Sequence, residues 1–176
     1  YDKTSNKVTE KSIYDLASLT KILSATPIVM KLLQNKQIGL DYPLYHFYPE
    51  FEFGSKKELT IRHLLTHTSG LPSFIEYYKK DGFNSKSMIV QDIITQKLTY
   101  KPDEKVIYSD LGMILLLDIV EKITGKGLDE LSYKYFYDPL NMENTFFNPD
   151  SSLQNKIVPT EYDDYYRNKL LQGVVH

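Results

Sequence analysis

Ala17-Ser18-Leu19-Thr20-Lys21-Ile22-Leu23-Ser24-Ala25-Thr26-Pro27-Ile28-Val29-Met30-Lys31-Leu32-Leu33-Gln34 is the first strongly periodic stretch of the chain. Ile22, Ala25, Val29 and Leu32/Leu33 recur at three- and four-residue spacing, which predicts a helix over 17–34 with one apolar face. Pro27 falls inside that pattern and should kink the helix or cost it a hydrogen bond. The same helix opens with Ser18 and Lys21, three residues apart and therefore on one face, with Cβ atoms roughly 5–6 Å apart. A lysine on its flexible stem can reach the serine hydroxyl from there. A hydroxyl at a helix N-terminus also sits where backbone amides favour developing negative charge.

Working outward, Thr60 is placed to cap a short helix over 61–67, which Ser69-Gly70-Leu71-Pro72 ends. Further helices are predicted over 87–96, over 111–124 up to Gly125, and over 128–137 up to Pro139. The polar tail from Asn148 reads as loop, with a tyrosine-rich helix expected over 161–171. Alternation of strand type is scarce, so the chain is expected to be mainly α. Gly and Pro together make up about 9% of residues, below the usual share of roughly 12%, which points the same way.

The 176 residues suffice for one domain with a real core. With 21 basic and 23 acidic side chains, the net charge of −2 argues against a nucleic-acid partner. The absence of cysteine excludes a disulfide scaffold, a thiol nucleophile and cysteine-ligated metal. The most apolar run, Leu111-Gly112-Met113-Ile114-Leu115-Leu116-Leu117, stops at Asp118, far short of the ~20 residues of a membrane span. Tyr1-Asp2-Lys3-Thr4-Ser5 lacks both an initiating Met and an apolar leader core, as expected of a processed or shortened chain.

Serine is a poor nucleophile until a base takes its proton, and a lysine must be neutral to serve. With 13 Ser and 19 Lys, chance alone yields about 1.4 pairs at this spacing, so the pair by itself carries little weight. His63 and His67 have the spacing of a zinc-binding helix, but Leu64 stands where the glutamate is needed and no third ligand stands out. Glu161, Asp163 and Asp164 read as a solvated acidic face. The 15 tyrosines could line a carbohydrate groove, but half-buried packing is the commoner use of such rings.

Context changes the weight of Ser18 and Lys21. Thr9-Glu10-Lys11-Ser12-Ile13-Tyr14-Asp15-Leu16 precedes them, and Leu59-Thr60-Ile61-Arg62-His63-Leu64-Leu65-Thr66-His67-Thr68-Ser69-Gly70-Leu71-Pro72 follows. Later come Pro102-Asp103-Glu104-Lys105-Val106-Ile107-Tyr108-Ser109-Asp110, a long apolar helix and Pro139-Leu140-Asn141-Met142. Together these resemble the serine β-lactamase and penicillin-binding-protein superfamily, nearest its class C β-lactamase-like group of β-lactamases, esterases and D-amino-acid peptidases. The likeness runs from about Thr9 to the end of the chain. It is fullest to serine-hydrolase modules that follow a bacterial glycosidase domain, through Tyr108-Ser109-Asp110 and Thr160-Glu161-Tyr162.

The resemblance implies that Ser18 is the acylated nucleophile, Lys21 its general base and Tyr108 a proton relay to the leaving group. Residues alone would also offer Tyr162 or Tyr166 for that relay. Tyr108 is preferred because it follows the Pro102/Glu104 loop and opens the 111–124 helix. The implied substrate is a D-amino-acid peptide, an ester or a β-lactam. No cofactor and no metal are implied, and the location that the resemblance implies is periplasmic or cell-surface.

Two departures from the family pattern stand out. The second motif usually ends in Asn, whereas here Asp110, the expected substrate-binding residue, is acceptor-only when ionised. A carboxylate near Lys21 favours the charged ammonium. Asp110 therefore implies altered specificity first, then a protonated Asp110 or one that binds a cation, then loss of activity. The third motif, Lys or His followed by Thr/Ser and Gly on a strand of a five-stranded antiparallel sheet, is absent. The chain is thus expected to be one incomplete domain over 1–176, the helical region of an α/β fold with most of the sheet lacking at both ends. Such a piece should show little turnover alone, and its partners should be its substrate, the rest of its own domain and a fused glycosidase domain. The alternative is a non-catalytic cell-wall or glycan-binding module on the same scaffold.

Overall fold

A computed structural model describes residues 7–174, so residues 1–6, with the Tyr1-to-Ser5 opening, and the final Val175-His176 lie outside it. The expected helix over 17–34 is built in three pieces: a 3₁₀ turn at Ala17–Leu19, a π turn at Lys21–Ala25 and helix α1 at Thr26–Gln34. Pro27 is the reason. It donates no backbone hydrogen bond, and its ring crowds the carbonyl four residues back. The wider π turn absorbs both faults, with Thr26 N–H bonded to Lys21 O, and Pro27 then sits in the first turn of α1, where the missing donor costs nothing. The switch also rotates the apolar face. Ile28, Val29 and Leu32 are buried, while Ile22, expected among them, is exposed.

Helix α2, Ile61–Leu65, stops short of the expected His67. Thr60 caps it through an unexpected partner: Thr60 N–H donates to His63 Nδ1 at 3.0 Å, and the Thr60 hydroxyl lies 2.8 Å from the same nitrogen. Helix α3, Lys86–Thr95, is capped by Ser85, whose hydroxyl accepts the Met88 N–H. Helix α4, Asp110–Thr124, has Ser109 as its cap and Gly125 in the left-handed conformation at its end, with φ of 67°. Helix α5, Leu128–Ser132, passes into a second π turn, Tyr133–Tyr137, again two residues before a proline.

Helix α4 packs on α2 and α3, and α5 packs on α1 and the first π turn. Leu111, Leu115, Leu116, Ile119 and Val120 of α4 meet Ile28, Val29, Leu32, Leu64 and Ile93 in one buried cluster. Each such side chain contributes about 1.5–3 kcal/mol by leaving water. Tyr48 is also fully buried, its hydroxyl donates to Leu115 O and to Asp118, and burial, then the Asp118 charge, push its pKa well above the ordinary tyrosine value.

The tyrosine-rich helix expected over 161–171 is instead a small antiparallel hairpin, β1 at Glu161–Asp163 and β2 at Lys169–Leu171. Asp163 decides it. Its carboxylate accepts the backbone N–H of Tyr165, Tyr166 and Arg167 and pairs with the Arg167 side chain at 3.0 Å. An aspartate satisfying three amides of its own turn competes directly with helix formation. Asp163 is consequently buried, not part of a solvated face. The described residues thus form the helical portion of the expected fold, with only these two strands of sheet.

Candidate active site

Ser18 stands on the exposed 3₁₀ turn at the head of the first helix, directly after Ala17, whose φ of 42° is left-handed. A side chain other than glycine pays roughly 1–2 kcal/mol for that conformation. The turn is held in part by Asp15, which accepts the Ala17 N–H at 2.8 Å. Lys21 begins the π turn, and its Nζ donates to Ser18 Oγ at 3.0 Å. The two residues paired by spacing alone are therefore in contact.

Tyr108 and Asp110 reach the same place from the segment that leads into α4. Lys21 Nζ lies 5.0 Å from the centre of the Tyr108 ring and 2.8 Å from Asp110 Oδ1. That carboxylate oxygen is buried, and the contact is a close ion pair. Burial pulls the Lys21 pKa down, but hydrogen bonding and charge from Asp110 and Tyr108 outweigh it and hold the lysine above its ordinary value. As it stands, the candidate base keeps its proton.

The loop after α2 explains how Tyr108 and Asp110 are placed. Ser109, between them, is buried, and every polar group of its side chain and amide is used. Its hydroxyl donates to Pro72 O at 2.8 Å and accepts the Gly112 N–H, while its own N–H donates to His67 Nδ1 at 3.2 Å. Asp110 N–H donates to Ser73 O, the Ser73 hydroxyl donates to Tyr108 O, and Ile107 N–H donates to His67 O. His67 also packs its ring 4.7 Å from that of Tyr108. Burial, then the Lys21 charge, push the His67 pKa down.

His67 and His63 are thus committed to different structural partners. His63, buried beside Thr60, places its Nε2 3.1 Å from Asp103. Gly70 makes the close approach possible: with φ of 78°, its missing Cβ would lie 2.3 Å from Tyr100 O. Sequence reasoning overlooked Ser109, Ser73 and Asp103 in these supporting roles. A Ser-Asp pair immediately before a long apolar run is a cap signal that would have exposed the first of them.

Of the tyrosines, Tyr48, Tyr77 and Tyr137 are buried, whereas Tyr78, Tyr162, Tyr165 and Tyr166 remain exposed. Shallow depressions of about 300 Å³ (among Tyr77, Lys80, Phe83 and Tyr166) and about 440 Å³ (among Phe53, Lys56 and Leu98) do not include Ser18. Ser18 sits on open surface, with the exposed apolar side chains of Leu19, Ile22, Leu23 and Met30 along the same helix.

Comparison with known proteins places these features in a family context. A beta-lactamase family model matches residues 1–170. The chain is 31% identical over 183 aligned positions to a protein of Escherichia coli (strain K12) named as a candidate D-alanyl-D-alanine carboxypeptidase, covering 97% of this chain and 41% of that protein. A crystal structure of a beta-lactamase/D-alanine carboxypeptidase from Yersinia pestis is similar with a TM-score of 0.74 and 27% identity, covering 89% of this chain and 46% of that one. A class C beta-lactamase shares the fold with a TM-score of 0.78 at 19% identity, over 97% of this chain and 45% of that one. The chain therefore spans less than half the length of each of these proteins.

Proposed function

The chain belongs to the beta-lactamase family, and on that premise we propose that it is the nucleophile-bearing part of a serine hydrolase working through an acyl-serine intermediate. In this reading Ser18 Oγ attacks a substrate carbonyl carbon while Lys21 takes its proton, and Tyr108 carries a proton to the leaving group. The backbone N–H of Ser18 supplies one oxyanion donor. Water then cleaves the acyl-enzyme. The single observation that carries the reading is the Lys21 Nζ to Ser18 Oγ hydrogen bond of 3.0 Å beside the Tyr108 ring. Suitable substrates are D-amino-acid peptides, esters and β-lactams, and a periplasmic or cell-surface location fits the D-alanine carboxypeptidase activity named for the relatives.

The exposed stripe of Leu19, Ile22, Leu23 and Met30 supports a further part of the proposal: the sheet of the family fold packs there and completes the site. Without it, turnover by these 176 residues alone should be slight, because the second oxyanion donor is not supplied. A fluorophosphonate, which reports only the first covalent step, tests the central assignment. Peptide mapping should find the adduct on Ser18 and none in Ser18→Ala. An unmodified Ser18 under conditions that modify a control serine hydrolase defeats the proposal.

A second reading draws on the Lys21–Asp110 ion pair, which keeps the candidate base charged. It describes a non-catalytic module that binds wall peptide or glycan. That module would bind its ligand equally well after Ser18→Ala and would turn nothing over; hydrolysis abolished by Ser18→Ala counts against it.

A further inference from the structure

Asp110 sits at the first position of α4, where the helix dipole favours an anion, and its side chain remains one-third exposed on the open surface beside Ser18. Among the described residues Lys21 is its one ionic partner, held by the buried Oδ1 at 2.8 Å. Its backbone is fixed, since Asp110 N–H bonds Ser73 O at 2.8 Å and Ser109 anchors the preceding turn. The carboxylate is thus a part-exposed acceptor on a fixed backbone, next to the candidate nucleophile. It repels a substrate carbonyl or carboxylate and attracts a charged donor.

We propose that Asp110 is the receptor for an ammonium group on the acyl part of the substrate, as in an aminoacyl ester or a peptide with a free amino terminus, and that the arriving ammonium releases Lys21 to act as base. The inference rests on the reading of Ser18 as nucleophile. A substrate cation on Asp110 removes the attraction that now holds the Lys21 proton and sets a like charge beside it; both effects favour neutral lysine. Lys21 sheds its extra proton to water. Its free amine then accepts the Ser18 hydroxyl proton as the Oγ–C bond forms and the carbonyl electron pair moves onto oxygen. Collapse of that intermediate expels the leaving group, which takes up the proton. His67 and Tyr108 are the other titratable groups at this point, and neither supplies a competing carboxylate. An acyl group without the ammonium leaves Lys21 paired and protonated until the pH is more alkaline, so the matching substrate gains the base at lower pH.

The test is a titration of the Lys21 side chain by NMR in the 176-residue chain, alone and with saturating N,N,N-trimethyl-D-alaninamide, whose positive charge survives at alkaline pH, or N-acetyl-D-alaninamide. The trimethylated compound should lower the Lys21 midpoint by about one pH unit, a roughly tenfold loss of proton affinity, and the acetylated compound should not. Asp110→Asn should lower the midpoint without ligand and abolish the response; the wild-type titration stands even if that variant folds poorly. Equal shifts with both compounds, or none with either, overturn the inference. Fluorophosphonate labelling of Ser18, run in parallel at alkaline pH where Lys21 loses its proton without help, separates the two ideas. A labelled Ser18 with no ammonium response overturns the inference alone. An unlabelled Ser18 with the response intact supports the ammonium site and overturns the hydrolase reading.

Discussion

Lys21 touches a hydroxyl, a phenol ring and a carboxylate at once, and the balance among them sets its chemistry. The Asp110 and Tyr108 contributions exceed the burial that opposes them, so the folded lysine binds its proton more tightly than the unfolded one. The associated stability is therefore complete below the ordinary lysine value near 10.5 and is lost as pH rises through the higher folded value. Any rate that needs neutral Lys21 should keep climbing in the same alkaline range when no ammonium-bearing substrate is present. His67 has the opposite sign. Its folded pKa lies below 6.5, so the unfolded chain binds that proton first, and stability should fall as pH drops below about 6.5. His67→Asn keeps an acceptor for the Ser109 N–H and should flatten that limb, as read by thermal unfolding between pH 7 and 5. Persistence of the limb in His67→Asn would assign it to another group. At this scale the Ser18 and Lys21 pair was legible from spacing and family likeness together. The lacing of His67, Ser73 and Ser109 was not, because it joins residues 35–42 positions apart in sequence through backbone groups that have no compositional signature.

Two π turns clasp each other beneath the nucleophile. Ser24, in the first, is buried and hydrogen-bonded to the Tyr137 hydroxyl in the second. Tyr137→Phe leaves the Ser24 hydroxyl buried without that partner and should cost about 1–3 kcal/mol in chemical denaturation. Gly70→Ala forces a side chain onto a left-handed residue and against Tyr100 O. It should cost about 2–4 kcal/mol and disturb the amide signals of residues 107–110. Both are contradicted by wild-type unfolding midpoints. The hairpin behaves differently. Backbone N–H donors, then Arg167, hold the Asp163 pKa at about 2 despite burial, so its contribution is present above about pH 3.8 and lost as pH falls towards 2. Asp163→Asn should remove that part of the acid transition. Helices α3 and α4 were readable from period and caps. The hairpin was not, because a run rich in tyrosine has no distinct period, and one aspartate bonding three amides outweighs it. The three-part first helix was half readable: Pro27 announced a disturbance, but its form as a π turn, and hence the exposure of Ile22, depends on the turn geometry.

Across the whole molecule, one buried cluster on α4 coexists with an apolar stripe open to solvent on the nucleophile helix. That combination suits a helical layer built to lie against a sheet. Replacing Ile22 and Met30 by serine should reduce binding of a hydrophobic dye while leaving the unfolding midpoint nearly unchanged, since neither side chain belongs to the core. A large loss of stability would show that the stripe is part of the packing of this chain. The mainly helical class was legible from the sparse Gly and Pro and the repeated 3.6 period, and the family from Ser18, Lys21 and the 59–72 segment. The consequence of Asp110 became concrete only with its 2.8 Å contact to Lys21, since nothing local to either residue dictates that their helices meet. The measurement that bears most directly on the central claim is the rate of fluorophosphonate addition to Ser18 as a function of pH, in wild type and in Lys21→Ala. The predicted result is a rate that rises with deprotonation of Lys21 and falls by about 10²-fold or more in the variant. Modification of Ser18 at the same rate in Lys21→Ala would contradict it.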